Sequence, residues 1–223
     1  MNNRDGGIAG IQGSDKRAVR HGMVGPADLW HMKRRFQIQF LRSIGLLPHH
    51  QFLDLGCGNL RGGIPLIEYL DVGHYTGIDV RSFVLEEGHR ELEEAALVGR
   101  APRLLCCEDL HDFEAGQCFD VIWAFQVLIH MSDSVLDGAL AAVGRHLESS
   151  GNFYASVNIG KRPEGSWQGF PIVSRTMEFY QQAVANHGLM LDDLGSLNSL
   201  GHIHPRLSEE QQSSQRMLRI TSR

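Results

Sequence analysis

Short apolar runs alternate along the chain with longer stretches whose apolar residues recur at helical spacing. The short runs, bounded by turn residues, predict buried strands and cover residues 51–56, 74–80, 103–109, 119–126 and 152–159. The longer stretches predict helices and cover residues 27–44, 63–70, 82–99, 134–149 and 174–188. Alternation of this kind indicates an α/β fold.

Small and polar residues at the ends of these stretches predict where helices start and stop. Gly45 and Gly188 follow the last apolar residue of a helix, which is typical of a C-terminal stop. Ser150 and Gly151 are expected to end the helix before the fifth strand, and Ser174 is placed as the N-cap of the last long helix.

The C-terminal part of the chain departs from the alternation. The last two apolar runs, residues 189–195 and 216–221, have no helical stretch between them. The final strand is therefore expected to run antiparallel, in a hairpin with a long loop. The fold prediction is a seven-stranded, mostly parallel sheet with a reversed last strand and helices on both faces.

The N-terminal part precedes the first predicted strand. Residues 1–25 are polar, rich in glycine and without periodicity, which favours a flexible arm. Residues 26–47 contain the first helix and are predicted to cap the sheet. The folded domain is expected to span residues 26–223.

The most informative stretch follows the first predicted strand and reads FLDLGCGNLRGG, residues 52–63. A glycine-rich turn between a strand and a helix leaves room for a ligand against the main chain. Dinucleotide-binding folds write this turn as G-x-G-x-x-G. Gly56 and Gly58 fit that spacing, whereas Arg61 takes the third place and Gly62 follows one residue late. The turn predicts a nucleotide-like ligand.

Composition limits the partners that this chain is expected to have. Its 223 residues, 42% of them hydrophobic, suit a single domain, and a net charge of −5 does not favour nucleic acid. No stretch approaches the roughly 20 apolar residues of a membrane helix, and the start lacks an apolar signal segment. The four cysteines show no C-x-x-C spacing, which predicts reduced thiols, no disulfide and a cytoplasmic location.

Two strand-end motifs resemble a known family. LDLGCG, residues 53–58, is similar to the first motif of the class I, Rossmann-like S-adenosylmethionine-dependent methyltransferases, and GIDV, residues 77–80, is similar to the second. The reversed last strand also matches, so the resemblance covers residues 27–223. It implies methyl transfer from S-adenosylmethionine to a small-molecule acceptor, with S-adenosylhomocysteine as the product.

The resemblance implies cofactor contacts at the ends of the first four strands. Asp54 is expected to hold the glycine turn and the cofactor's ammonium group, Asp79 to accept the ribose hydroxyls, and Asp109 with Leu110 to hold the adenine. The full set of implied cofactor-binding residues is Asp54, Gly56, Cys57, Gly58, Asn59, Arg61, Asp79, Val80, Asp109, Leu110, Phe125 and Gln126.

Two of these interpretations keep alternatives open. Glu108 or Asp112 is the alternative to Asp109, which is also suited to capping a turn. Arg61 opens the helix after the glycine turn, where a cation opposes the helix dipole. An anionic neighbour is therefore expected, either Asp54, Asp79 or the cofactor's carboxylate, unless Arg61 is simply exposed.

His130 is the predicted general base or orienting residue for the acceptor. It follows the fourth strand among apolar residues, and imidazole accepts a proton near neutral pH. The alternative is a histidine that packs or caps the next helix. The residues predicted to bind the acceptor are Trp30, His130, Asn158, Trp167, Phe170, His202 and His204.

Two loops are expected on the cofactor side of the sheet, residues 158–171 and 195–215, and the second is predicted to be a lid. Within it, His202 and His204 form an H-x-H pair, but two ligands without a third do not predict a metal site. In the first helix, Lys33, Arg34 and Arg35 point in different directions, so a solvated face is expected. One of them, or Trp30, is left as a candidate to cover the cofactor.

The end of the fourth strand lacks the motifs of several other substrate classes within the family. Enzymes that act on exocyclic amines of DNA bases carry an Asn/Asp-Pro-Pro-aromatic motif here, and residues 124–127 do not. The carbon-5 pyrimidine enzymes need a cysteine nucleophile at the end of this strand, whereas Cys118 precedes the strand. No acid stands between Trp123 and His130, where the magnesium-dependent catechol type needs one, so no metal is expected.

Two other function classes were weighed against methyl transfer. A dinucleotide-binding dehydrogenase needs a Tyr-x-x-x-Lys pair or a second domain, and neither is evident in the sequence. A binding protein that keeps the nucleoside pocket without catalysis remains an alternative, because fold does not fix function. The oligomeric state is not predicted.

Overall fold

Helices and strands alternate through most of the computed structural model, which describes residues 13–160 and 165–223. In chain order the elements are α1 (Gly13–Gly22), α2 (Trp30–Ser43), β1 (Phe52–Leu55), α3 (Gly63–Tyr69), β2 (Tyr75–Asp79), α4 (Ser82–Glu94), β3 (Arg103–Cys106), β4 (Phe119–Ala124), α5 (Asp133–His146), β5 (Leu147–Asn158), β6 (Gly165–Trp167), β7 (Phe170–Ile172), α6 (Met177–Asn186), β8 (Leu189–Ser196), α7 (Glu209–Ser213) and β9 (Gln215–Ser222). Short 3₁₀ turns lie at Ala27–Leu29, Val98–Arg100 and Leu128–His130.

Seven strands pair into one sheet in the order β3-β2-β1-β4-β5-β9-β8. β1 pairs in parallel with β2 on one side and β4 on the other, and β9 runs antiparallel to both β5 and β8. This confirms the predicted seven-stranded, mostly parallel sheet with a reversed last strand. The order turns back at β1, between β2 and β4, and in open parallel sheets ligands bind beyond the carboxyl ends of strands at such a point.

Two apolar cores lie on opposite faces of the sheet, as the near-continuous apolar strands predict. One face packs α5 and α6 through side chains such as Leu140 and Tyr180. The other packs α2, α3 and α4 through side chains such as Phe40, Ile67 and Leu92. Helices on both faces and a helical N-terminal cap are therefore confirmed.

Two helix ends differ from the sequence-based predictions. The last long helix is capped by Thr176, whose hydroxyl accepts from the backbone N–H of Phe179 at 3.2 Å, rather than by Ser174. α5 ends at His146 and the chain enters β5 directly at Leu147. Gly151 lies inside that strand. A Cβ there would come within 2.9 Å of the Phe119 carbonyl oxygen, so the absence of a side chain allows close strand packing.

The predicted flexible arm is a helix over residues 13–22, while residues 1–12 lie outside the described part. Arg20 is buried and pairs with Glu91 and Glu94 of α4, in both cases at 2.7 Å. Composition alone missed this helix because its partner is a row of acids about 70 residues away along the chain.

Two further elements fall in stretches that were predicted to be loops. The 195–215 loop contains α7, which is capped by Ser208 together with Gln211. The 158–171 loop forms the hairpin β6–β7, in which Trp167 pairs with Phe170, and its residues 161–164 lie outside the described ranges. Regular backbone pairing thus holds the two predicted aromatic side chains next to each other.

Candidate active site

A cavity of about 480 Å³ opens at the carboxyl ends of β1, β2 and β4. Its size suits a small-molecule ligand, for which pockets of roughly 300–1,000 Å³ are usual. Segments from many parts of the chain line it, and they include Val24–Pro26, Gly56, Asp79–Arg81, Phe125–Val127, His130–Ser132 and Phe170–Ile172.

The turn after β1 is tightly fixed by the protein itself. Gly56 and Gly58 have φ angles of +76° and +58°, which side chains other than glycine rarely adopt. The backbone N–H groups of Gly56 and Cys57 donate to the Ile78 carbonyl at 2.8 and 2.9 Å. Added Cβ atoms would come within 2.5 Å of Val127 at Gly56 and within 2.6 Å of Val24 at Gly58. The glycines therefore serve the close approach of neighbouring segments to this turn.

Asp79 connects this turn to the mouth of the cavity. One carboxylate oxygen accepts from the backbone N–H of Gly58 at 3.0 Å, and the other accepts from the backbone N–H and the Nε of Arg81 at 3.0 and 3.1 Å. A carboxylate has about four lone-pair sites. The Nη2 of Arg81 also donates, at 3.5 Å, to the oxygen that Gly58 contacts, so Asp79, which lines the cavity, can accept from a ligand in place of that long hydrogen bond.

Asp54 lies behind the turn and does not line the cavity. Its carboxyl accepts a hydrogen bond from the Tyr75 hydroxyl at 2.7 Å. Burial raises the pKa of Asp54 to about 7, against the lowering effect of that hydrogen bond. The structure thus brings Asp54 to the predicted turn, with its hydrogen bond directed to β2 rather than to the cavity.

On the far side of β2, Val80 and Leu110 present apolar side chains to the cavity, and Glu108 lies beside them. The side chain of Asp109 instead accepts from the backbone N–H of His111 at 2.9 Å and is not part of the lining. This is the turn-capping alternative that was left open for Asp109. Glu108 is the acid that the structure brings to the cavity at this place.

The chain leaves β4 in a strained conformation. Gln126 has a φ of +59°, which is uncommon outside glycine and is found most often where function requires it. Its backbone N–H donates to the Ser156 hydroxyl at 2.7 Å, and its side-chain oxygen accepts from the Lys33 ammonium at 2.5 Å. Phe125 and Gln126 both line the cavity, as predicted.

His130 also lines the cavity, at the end of the 3₁₀ turn after β4. Its Nδ1 lies 2.9 Å from the Pro171 carbonyl oxygen, which is only an acceptor, so Nδ1 carries the proton and Nε2 has the free lone pair. Burial lowers the pKa of His130 below that of an ordinary histidine. The neutral ring with a basic Nε2 is therefore favoured near pH 7.

The hairpin β6–β7 covers His130 on the outside. The imidazole lies 5.4 Å from the Trp167 ring and 6.5 Å from the Phe170 ring. The Arg81 guanidinium lies over the same two aromatic rings at 5.7 and 5.6 Å, and it also donates to Gln168 at 3.1 Å. Arg81 thus ties the hairpin to the end of β2.

The N-terminal segment closes another side of the cavity. Arg61 donates from Nη1 to the Val24 carbonyl oxygen, and Arg81 donates to that of Met23. Asn59 donates to the Arg20 carbonyl oxygen at 2.6 Å. The side chains after β1 that were predicted to hold the cofactor therefore also hold this N-terminal wall.

Several predicted residues are not brought to the cavity lining. They are Trp30, Asp54, Cys57, Gly58, Asn59, Asp109, Asn158, His202 and His204. Trp30 stacks on His21 with ring centroids 3.6 Å apart, and Asn158 donates to the Val173 carbonyl at 3.3 Å. Gly58 and Asn59 lie just behind the lining and act through the contacts given above.

His202 is buried between the rings of Phe36 and Phe125 at centroid distances of 5.1 and 5.3 Å. Burial lowers the pKa of His202 to about 3. None of residues 195–215 lines the cavity, so the lid predicted there stays a prediction. The covering role falls to the hairpin β6–β7.

Two cationic side chains that line the cavity, Lys33 and Arg81, were not among the predicted site residues. Lys33 was expected on a solvated helix face, with a contact to the cofactor left open as the alternative, and it is only 6% exposed and reaches the cavity. Arg81 follows the β2 acid and carried no prediction. Lys33 stands three residues after the buried Trp30, a spacing that places both side chains on the same face of α2. The run of three consecutive basic residues, 33–35, obscured this spacing.

Within residues 13–160 and 165–223, no group of three or more His, Cys, Asp or Glu side chains is arranged to hold a metal ion. None of the helices described is both long enough and apolar enough to cross a lipid bilayer.

Comparison with known proteins relates part of this chain to a protein family. Residues 52–151, which run from β1 into β5, match the family model of the methyltransferase domain. No curated protein matches the chain in sequence.

Solved structures share the fold over most of the chain. The magnesium protoporphyrin IX methyltransferase of Synechocystis PCC 6803 with bound S-adenosylhomocysteine has a TM-score of 0.67 at 16% identity, covering 95% of this chain and 94% of that one. The glycopeptide N-methyltransferase MtfA has a TM-score of 0.64 at 14% identity, covering 88% and 97%. A methyltransferase from Clostridium acetobutylicum ATCC 824 has a TM-score of 0.63 at 14% identity, covering 86% and 92%.

Proposed function

We propose that this chain is a class I S-adenosylmethionine-dependent methyltransferase that methylates a small organic molecule beside His130, since residues 52–151 match the methyltransferase-domain model and solved methyltransferases share its fold. The observation that carries the proposal is the single cavity that joins the glycine turn and Asp79 to His130 and the aromatic hairpin. A cofactor held at one end of such a cavity presents its reactive group to an acceptor held at the other.

The residues at the β1 and β2 ends fit the cofactor. Asp79 would accept from the ribose hydroxyls in place of the long hydrogen bond from Arg81 Nη2, and Val80 with Leu110 supplies an apolar surface for the adenine. The Nε of Arg61 is buried without a hydrogen-bond partner among the described residues, and a buried donor of this kind favours an anionic group such as the cofactor's carboxylate. S-adenosylmethionine supplies an activated sulfonium methyl group there.

The β4 end supplies the acceptor side. Because the Pro171 carbonyl fixes the proton on Nδ1 of His130, Nε2 is available to take a proton from an O–H or N–H of the acceptor as its new bond to the methyl carbon forms. Trp167 and Phe170 flank the imidazole and help to exclude water. Placement of the acceptor in line with the methyl group and exclusion of water provide the remaining acceleration.

We propose a small molecule as acceptor and a cytoplasmic location. The net charge of −5 offers no general attraction for nucleic acid. The four cysteines, Cys57, Cys106, Cys107 and Cys118, are free thiols, which is usual in reducing compartments. Two of the structural neighbours are named for a porphyrin and a glycopeptide acceptor, so the fold itself accommodates acceptors of different size.

Two measurements on the purified protein test this function. Isothermal titration with S-adenosylhomocysteine and with NAD is expected to show binding of the first and none of the second. Release of S-adenosylhomocysteine from S-adenosylmethionine is then measured over a library of small metabolites. Turnover with at least one acceptor supports the proposal, whereas cofactor binding without any turnover supports the alternative of a non-catalytic nucleoside-binding protein.

A further inference from the structure

Two buried cations share the cavity without a carboxylate of their own. Lys33 and Arg61 are 6% and 8% exposed, and both line the cavity. In the described part of the chain neither has an Asp or Glu oxygen within 4.0 Å, and their protein partners are the Gln126 amide oxygen and the Val24 carbonyl. Burial of a cation without a counter-charge is costly, so the two together indicate an anionic ligand.

The two cations lie near each other, but their surroundings belong to different ends of the cavity. A Cβ built on Gly25 would lie 3.5 Å from Nη1 of Arg61 and 3.7 Å from Nζ of Lys33, so Gly25 marks the point between them. Arg61 belongs to the turn after β1, at the cofactor end. Lys33 is hydrogen-bonded to Gln126, immediately after β4, which is the end where His130 lies.

Charge effects on neighbouring groups give the same placement. Burial is the main cause that lowers the pKa of His130, and the charges of Arg81 and Lys33 lower it further. Arg61 is not among those causes. The charge of Lys33 therefore acts at the acceptor end of the cavity, while that of Arg61 acts on Asp54 behind the glycine turn.

The ion pairs around the cavity leave Lys33 without an anionic partner among the described residues. Among the lining side chains, Asp79 is paired with Arg81, and the carboxylate of a bound cofactor can compensate Arg61. Glu108 lies at the β3 end of the lining and has no ion pair to Lys33 in the described residues. The ammonium of Lys33 is the cation for which neither the protein nor the cofactor supplies an anion.

We propose that Lys33 binds a carboxylate of the acceptor, which makes this enzyme a methyltransferase for small organic acids. The inference rests on the proposed function and specifies its substrate class. The acid group would lie against Lys33 and Gln126, and the rest of the molecule would extend toward His130 and the Trp167 ring. Lys33 positions the acceptor and takes no part in the bond changes.

Matched pairs of acids and amides test this inference without knowledge of the natural acceptor. Protein saturated with S-adenosylhomocysteine is titrated with a panel of small aromatic and aliphatic acids and their primary amides, benzoate and benzamide among them. At least one acid is expected to bind ten-fold or more tightly than its amide. Lys33→Met should abolish that preference, because the methionine keeps the length of the side chain and removes the charge.

Proton uptake gives a second readout. Burial and the charge of Arg61 lower the pKa of Lys33 to about 7, and the titratable groups around it are Arg61, His130, His202 and His204. At pH 8 most of the free protein therefore carries a neutral Lys33, and a bound carboxylate draws a proton onto it. Titrations in two buffers of different ionisation enthalpy should show uptake of nearly one proton in the wild type and none in Lys33→Met.

The outcomes separate this inference from the proposed function. Arg35→Gln removes an exposed charge on the same helix and should change neither readout. If no acid outranks its amide, or if Lys33→Met keeps the preference, the inference is wrong. If Lys33→Met or Lys33→Gln instead weakens S-adenosylhomocysteine by ten-fold or more, Lys33 serves the cofactor and the inference is also overturned. A wild type that does not bind S-adenosylhomocysteine contradicts the proposed function itself.

Discussion

The two ends of the cavity are built in different ways. The cofactor end, meaning the turn after β1 and the end of β2, is assembled from Gly56, Gly58 and Asp79, whose hydrogen bonds connect neighbouring strands. The acceptor end, meaning the segment after β4 with its surroundings, brings together Lys33 from α2, His130, and Trp167 from a hairpin. The first set lies within residues 56–81, whereas the second brings together side chains from segments much farther apart in the chain.

The two ends also bury opposite groups. Behind the cofactor end lies the Asp54 carboxyl, whose pKa is raised to about 7 by burial. At the acceptor end lies the Lys33 ammonium, whose pKa burial lowers to about 7. In both cases burial acts against the charged form. A cationic cofactor would favour the ionised form of Asp54, and an anionic acceptor would favour the protonated form of Lys33.

The strongest test of the cofactor end is Gly56→Ala. A Cβ there would meet Val127 at 2.5 and 2.7 Å, at a φ of +76°. Steric overlap and the left-handed backbone together are expected to lower the free energy of unfolding by roughly 2–4 kcal/mol. Binding of S-adenosylhomocysteine should weaken by ten-fold or more, as measured by isothermal titration.

Gly73→Ala is the matched control, because its φ is +79° and nothing lies within 4 Å of the added Cβ. It should cost about 1–2 kcal/mol and leave cofactor affinity unchanged. Equal effects of the two variants would mean that the cofactor end does not depend on the close approach of Val127. The contrast between a fixed cofactor end and an assembled acceptor end would then fail.

The acceptor end is tested by His130→Ala. If Nε2 is the base, the single-turnover methylation rate should fall by roughly 100-fold, with S-adenosylhomocysteine affinity little changed. The wild-type rate should rise with pH to a plateau whose midpoint lies below 6.5, because the neutral ring is the active form and burial lowers the pKa of His130. His89→Ala, an exposed histidine on α4, serves as the control.

His130→Gln separates a base from an orienting group, since glutamine keeps a hydrogen bond without basicity. A rate near that of the wild type in the glutamine variant would assign His130 an orienting role. A near-normal rate in the alanine variant as well would leave positioning alone as the origin of the acceleration. The acceptor end would then hold its ligand by contacts such as that of Lys33, without proton transfer.

The sequence predicted most of the fold and most of the cofactor end, because both depend on local pattern. The apolar runs predicted the positions of β1 through β5, and the glycine-rich turn predicted a ligand-binding place around Gly56. Thr176 and Gly151 show the limit of such local rules: a second hydroxyl two residues after Ser174 took the cap, and a glycine served strand packing rather than a helix end.

The acceptor end was only partly predictable for a physical reason. His130, Trp167 and Phe170 were expected at the acceptor and do line the cavity. Lys33 and Arg81 were missed because what defines them is burial and contact with segments far away in the chain, such as Gln126 and the hairpin. His202 and His204 were expected there on loop position alone, and the loop packs against Phe125 instead.

The smallest predicted effect concerns the buried carboxyl of Asp54. Because its pKa is raised to about 7 in the folded protein, from an ordinary value of 3.8, the folded state holds a proton between these pH values that the unfolded state has lost. Stability therefore falls as pH rises through this window, by up to about 1.4 kcal/mol per pH unit from this group. Asp54→Asn keeps an acceptor for the Tyr75 hydroxyl and cannot ionise, so urea unfolding at pH 5, 6 and 7 should give a flatter dependence than in the wild type or in Asp71→Asn, an exposed control. An unchanged slope would mean that Asp54 is ionised in the folded protein, and the cofactor end would then carry a fixed negative charge opposite the cation of the acceptor end.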